Sequence, residues 1–140
     1  MDSSSKIALP RYCILAWLLL TPPGLLADDA VPKEVSLIIN GSELVASNSR
    51  FSRFDLLDLN AQEKIREHAV GKQVILILTN QRIIGYGVGG GWRDFKTRAG
   101  EKILSFYVED YSAFVTTNKR YLNFNGETGV WGKQDRRTKH

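Results

Sequence analysis

From Val35 onward, short runs of β-branched and aromatic residues alternate with polar positions and are broken by Asn, Gly and Ser at close spacing, which predicts strands joined by tight turns. Val35 to Ile39 is followed by Asn40-Gly41, read as a type I′ hairpin turn, and Leu44 to Ala46 as the return strand. Phe54 to Leu59, Lys72 to Leu78, Arg82 to Val88, Trp92 to Arg98 and Lys102 to Val108 continue the series. A hairpin from Ala113 to Phe124, a turn at Asn125-Gly126 and a last strand near Trp131 complete it. Asn80 is expected in a left-handed turn position, which Asn tolerates better than most residues. Local signals conflict only over 61–69. Asn60-Ala61-Gln62-Glu63 reads as a helix cap, whereas Glu63-Lys64-Ile65 aligns with Glu101-Lys102-Ile103 of a predicted strand entry, and the repeat register favours strand.

That register is the strongest feature of the chain. Ile77-Leu78-Thr79-Asn80-Gln81-Arg82 returns as Val115-Thr116-Thr117-Asn118-Lys119-Arg120, a step of 38 residues from Thr79 to Thr117. Gly90-Gly91-Trp92 returns as Gly129-Val130-Trp131 with one residue inserted. The expected fold is all-β, three antiparallel four-stranded repeats of about 38 residues, counted as four, four and three strands with the last unit short. Such units resemble propeller blades, and Tyr121 to Trp131 resembles the hairpin-then-Thr-Gly-x-Trp phrase of those blades; a β-trefoil is the alternative. A pleckstrin-homology-like sheet is suggested only by Thr-Asn-x-Arg and lacks its C-terminal helix.

The N-terminal segment reads differently. Lys6 and Arg11, the apolar run Cys13 to Leu20, Thr21-Pro22-Pro23-Gly24 and then Leu25-Leu26-Ala27 follow the order of a secretory signal peptide, cut after Ala27. An uncleaved anchor is the alternative, although eight apolar residues fall short of the roughly 20 needed to span a bilayer. The expected organisation is a signal over 1–27, a linker over 28–34, one β-repeat domain over 35–137 and a tail over 138–140. The protein is then exported, to the periplasm or beyond, with no transmembrane span after cleavage. Processing removes Cys13, the only cysteine, so the core holds by packing without disulfides or thiolate metal sites. It also leaves 17 basic against 14 acidic residues, too small an excess to point to nucleic acid.

The Leu-Thr-Asn-x-Arg…Gly-Gly-Trp…Gly-Glu phrasing, over about residues 35 to 137, resembles a class of exported bacterial proteins of unassigned function with tandem β repeats. The resemblance implies a repeat fold and no particular activity. The first copy departs from it, with Asn40-Gly41 in place of Thr-Asn-x-Arg and no Trp after it.

Candidate chemistry is sparse. Gly85 to Gly90 matches a dinucleotide-binding glycine pattern, but a strand and not a helix follows, so a glycine-rich turn is the better reading. His68 has no partners spaced for zinc, Ser105 and Ser112 carry no nucleophile motif, and Glu109-Asp110 point to opposite faces of a strand; no cofactor, metal or catalytic residue is expected. Arg82 and Arg120 begin equivalent strands, either as forks for an anion or sugar or as structural partners of an acid such as Glu101. Trp92 and Trp131, with Tyr86, form either stacking platforms for sugar rings or core between units. The functional expectation is a non-catalytic binding or assembly module of the bacterial envelope, with an unknown protein or glycan partner and possible homo-oligomerisation; a lectin-like carbohydrate-binding module is second, an enzyme third.

Overall fold

The computed structural model describes residues 32–138; the segment expected to be a signal over 1–27, with Cys13, most of the expected linker and the last two residues of the expected tail lie outside the described residues. Eleven strands form three antiparallel meanders. The first sheet is β1 (Val35–Asn40), β2 (Glu43–Asn48) and β3 (Arg53–Asp58). The second runs β4 (Ile65–Val70), β5 (Val74–Thr79), β6 (Ile83–Gly87), β7 (Gly91–Phe95). The third runs β8 (Ile103–Val108), β9 (Ser112–Thr117), β10 (Arg120–Asn125), β11 (Trp131–Asp135). Among the described residues there is no helix, and none long and apolar enough to cross a membrane.

The strand number agrees with the sequence reading, but the grouping is three, four and four. The short unit is the first, because β4 hydrogen-bonds to β5 and β8 to β9, each opening a sheet instead of closing the one before. The conflict over 61–69 resolves as a turn followed by strand. Asn60 N donates to Glu63 Oε1 at 2.9 Å, as in a helix cap, yet Gln62 takes a positive φ of 61° and the chain enters β4. Two turn assignments also change. Asn40 pairs with Glu43, so Gly41 and Ser42 are the central residues, and positive φ at Gly41 alone is the pattern of a type II′ turn. Asn80 does not adopt positive φ; its amide bonds across to the preceding loop, accepting from Lys64 N at 2.8 Å and donating to Gln62 O at 3.1 Å.

The sheets stack so that equivalent strands lie against each other, β1 on β5 on β9, and β3 on β7. Val35, Leu44 and Ala46 pack against Ile75, Ile77, Ile84 and Tyr86 in one core. Val74, Leu76, Leu78 and Ile83 pack against Ala113, Val115, Leu122 and Phe124 in the other. The middle sheet is therefore covered on both faces, which is why β5 reads Val-Ile-Leu-Ile-Leu without a polar break. By contrast β2, β9 and β10 alternate between buried and more open positions, because one face of each outer sheet is free.

Close approach of the second and third sheets depends on backbone without side chains. A Cβ at Gly89 would lie within 1.8 Å of Glu127 O, and one at Gly90 within 2.6 Å of Gly129 Cα. Gly89→Ala should destabilise the fold by about 1–3 kcal/mol through forced separation of the sheets, read by urea unfolding. An unchanged midpoint would show that the sheets can part there without loss.

Candidate functional site

The Thr-Asn-x-Arg motif builds one constellation twice. Thr79 Oγ1 accepts from the backbone N–H groups of Gln81 and Arg82, closing the β5–β6 turn, and donates to Glu63 Oε2 at 2.7 Å. Arg82 Nε donates to the same carboxylate oxygen at 3.0 Å. One repeat later Thr117 donates to Glu101 Oε2 at 2.7 Å, and Arg120 Nε donates to it at 2.9 Å. Each Glu occupies the turn before its sheet's first strand, held by a backbone N–H, from Asn60 or from Arg98. Each Arg also reaches the preceding sheet, Arg82 Nη2 to Asp58 O at 3.4 Å and Arg120 Nη2 to Lys96 O at 3.3 Å.

These pairs are removed from water: both Glu side chains are fully covered, and Arg120 is 4% exposed. The Arg120 hydrogen bonds hold the Glu101 carboxyl at about 2, well below its ordinary 4.5 and against the upward push of burial. At Glu63 burial pushes upward too, and the bonds from Arg82, the Asn60 N–H and Thr79 outweigh it, so the net direction is down. Arg120 also stacks over the Phe95 ring of the second sheet at 4.7 Å.

The aromatic candidates lie in the same inter-sheet seams. Trp92 Nε1 donates to Asp55 O at 3.1 Å, and Trp131 Nε1 donates to Arg93 O at 3.2 Å, so each indole ties its sheet to the third strand of the one before. Tyr86 is completely buried; its hydroxyl donates to Asp55 Oδ2 at 2.6 Å and accepts from Asn48 Nδ2. Burial, and then the Asp55 carboxylate, push the Tyr86 phenol upward. Tyr86 meets Trp92 edge to face at 5.0 Å, and Phe124 meets Trp131 at 4.9 Å. Thus Tyr86 and Trp92 share the first seam, Trp131 and Arg120 belong to the second, and Arg82 sits with Glu63; the five do not converge on one cleft.

A groove of about 670 Å³ opens between the second and third sheets near Thr79, Arg82, Thr97, Lys102 and Ser105. Of the two guanidinium groups that line it, Arg66 and Arg82, that of Arg82 is already engaged by Glu63 and by Asp94 at 3.5 Å. Gly87 and Gly89 face the backbone of Gly126 and Glu127, so the glycine run serves sheet contact. Among the described residues no group of three or more His, Cys, Asp or Glu side chains is placed to hold a metal ion.

The surface that sequence reasoning missed is the outer face of the first sheet. Ile38, Val45 and Leu56 lie side by side across β1, β2 and β3, with Phe54 beside them; Ile38 is 50% exposed, Leu56 59% and Phe54 64%. Phe54 pairs with Ser47 as Trp92 pairs with Tyr86, 38 residues apart, so it occupies the tryptophan position of the first unit. A search for Trp passes over it. No protein-family model matches the chain, and no curated protein matches it.

Glu101→Gln should cost about 3 kcal/mol at neutral pH, because it leaves Arg120 buried without its counter-charge. Since the folded carboxyl is depressed, its contribution is complete above pH 4.5 and is lost as pH falls through about 2. The variant should therefore show a flatter acid limb than wild type in melting temperature against pH; parallel curves would refute the pairing. Trp131→Phe, which keeps a ring but removes the N–H, should cost about 1 kcal/mol in urea unfolding, and a neutral result would show that the bond to Arg93 O adds nothing.

Proposed function

We propose that the protein is a non-catalytic module for binding or assembly, exported and working in the bacterial envelope, built from three blade-like sheets. Support for the blade-like reading over a trefoil comes from the stacking of equivalent strands, β1 on β5 on β9. Support for export is the order of charges, apolar run and breakers over 1–27.

The observation that carries the reading is a division of labour. The recurring polar and aromatic side chains, Arg82 and Arg120, Tyr86, Trp92 and Trp131, are spent on joining sheets, while Ile38, Phe54 and Leu56 face water as a contiguous apolar patch. Large exposed apolar side chains grouped on a flat face mark an interaction surface. The carbohydrate-binding reading rested on free tryptophan faces. Both indole N–H groups are bonded to a neighbouring sheet and both rings pack on another aromatic, which supports the assembly reading over the carbohydrate-binding one.

Leu56→Lys and Phe54→Lys should each keep wild-type melting within about 0.5 kcal/mol, since both side chains already face solvent. Both should reduce cosedimentation of the exported protein with isolated bacterial envelopes. Wild-type cosedimentation by both variants would overturn the proposal.

A further inference from the structure

The two end faces of the stack are repeat equivalents of faces that are already joined twice inside the chain. On the free face of the first sheet, Ile38, Val45, Ser47 and Phe54 hold the ladder positions that Ile77, Ile84, Tyr86 and Trp92 hold in the second sheet, where they pack against the sheet before. On the free face of the third sheet, Phe114, Thr116, Tyr121 and Asn123 hold the positions of Leu76, Leu78, Ile83 and Gly85, which pack against the sheet after. The first sheet thus lacks a predecessor and the third a successor.

The residues at these ends are altered in complementary ways. Inside the chain the face that looks back carries a large ring and the face that looks forward a small residue: Phe124 covers Gly85 so closely that a Cβ there would lie 3.0 Å from the ring. At the ends the sizes reverse, with Ser47 looking back and Asn123 looking forward.

Charge changes in the same way. Where Arg82 and Arg120 reach back to the end of the preceding third strand, the first sheet has Glu43, paired across the ladder with the exposed Asp58. The matching end of the third sheet is the ladder position of Asp135, opposite Arg120. Asp135 is neutralised by Arg98 at 3.0 Å, and the next residue, Arg136, lies over the outward-facing Tyr121 ring at 5.5 Å. Stacking in the register of the internal seams sets Glu43 of one copy at the Asp135 end of another copy's last strand, where the Asp135 carboxylate is already engaged by Arg98 and the adjoining basic side chain is Arg136, whose Nη1 donates to Thr117 O at 3.1 Å.

We propose that the free face of the first sheet docks head to tail on the free face of the third sheet of a second copy, continuing the stack between molecules. The contact is heterologous, so two copies close a six-sheet ring if the rotation allows, and a longer array forms if it does not. This rests on the reading of the protein as an assembly module and specifies its partner as the chain itself.

The experiment is sedimentation velocity of the exported protein, purified from the periplasm of an expression host, over a concentration series. Wild type should associate, and Ile38→Lys, which puts a charge at the ladder position of the seam-buried Ile77, should sediment as a monomer whose melting equals that of wild type at concentrations too low for association. Glu43→Arg and Arg136→Glu should each weaken association about tenfold or more, and the double variant should recover most of the loss, because each new charge meets its opposite on the neighbouring copy. A wild-type monomer at every concentration would overturn the inference. So would association broken by Ile38→Lys but indifferent to both charge reversals, which would show two first sheets meeting face to face. A monomer that still cosediments with envelopes through Leu56 would end the self-association proposal and leave the binding function standing.

Discussion

A sheet whose two central strands bury every side chain has no stable existence alone. β5 and β6 are covered throughout, and the second sheet presents isoleucine, Tyr86 and Val88 to one neighbour and valine, leucine and isoleucine to the other. Removing two apolar faces from water, at about 25 cal/mol per Å², is the driving force that recruits the first and third sheets. Without cysteine in the described domain, nothing covalent substitutes for that burial. The polar features follow from it: once sheets are pressed together, each carbonyl and turn at their ends must find a donor.

The buried Glu–Thr–Arg set meets that demand. A carboxylate at the entry of a sheet, a threonine closing the next turn and an arginine beginning the following strand satisfy one another, and the guanidinium has a donor left for the sheet before. The pair joins segments 19 residues apart in sequence and ties down the start of the second and third meanders. This explains why the sheets divide before β4 and β8 instead of after them. Glu63 and Glu101 select the phase of the repeat.

Much of the architecture was legible because it is written twice. Strand number, the 38-residue step and the strand nature of 65–70 follow from periodicity and from aligning Glu63 with Glu101. The phase was not legible, since a repeating sequence has no intrinsic starting point and only the hydrogen bonds of β4 to β5 and β8 to β9 supply one. The cap-like Asn60-to-Glu63 signal was real as a hydrogen bond but belonged to a turn. Of the five candidate residues, the alternative of Arg82 and Arg120 as partners of an acid was available from spacing alone. The exposed face was hidden by the opposite problem: Phe54 stands where the motif has Trp, and burial cannot be read from an alternation that looks the same on a covered sheet and on a free one.

Among the described residues the first sheet has no buried equivalent of the Glu63–Arg82 clamp, only the part-exposed Glu34–Arg50 pair at 2.9 Å, and this sets an order of opening. β1 to β3 are covered on one face and have Glu43 at the arginine position, whereas the third sheet, also covered on one face, keeps its own Glu101–Arg120 clamp. Local unfolding therefore has a direction. Amide hydrogens of β1 to β3 exchange with solvent at the lowest free-energy cost, those of the third sheet at an intermediate one, and those of β5 and β6 only when the whole chain unfolds, so the molecule melts from one end like a stack losing its top plate.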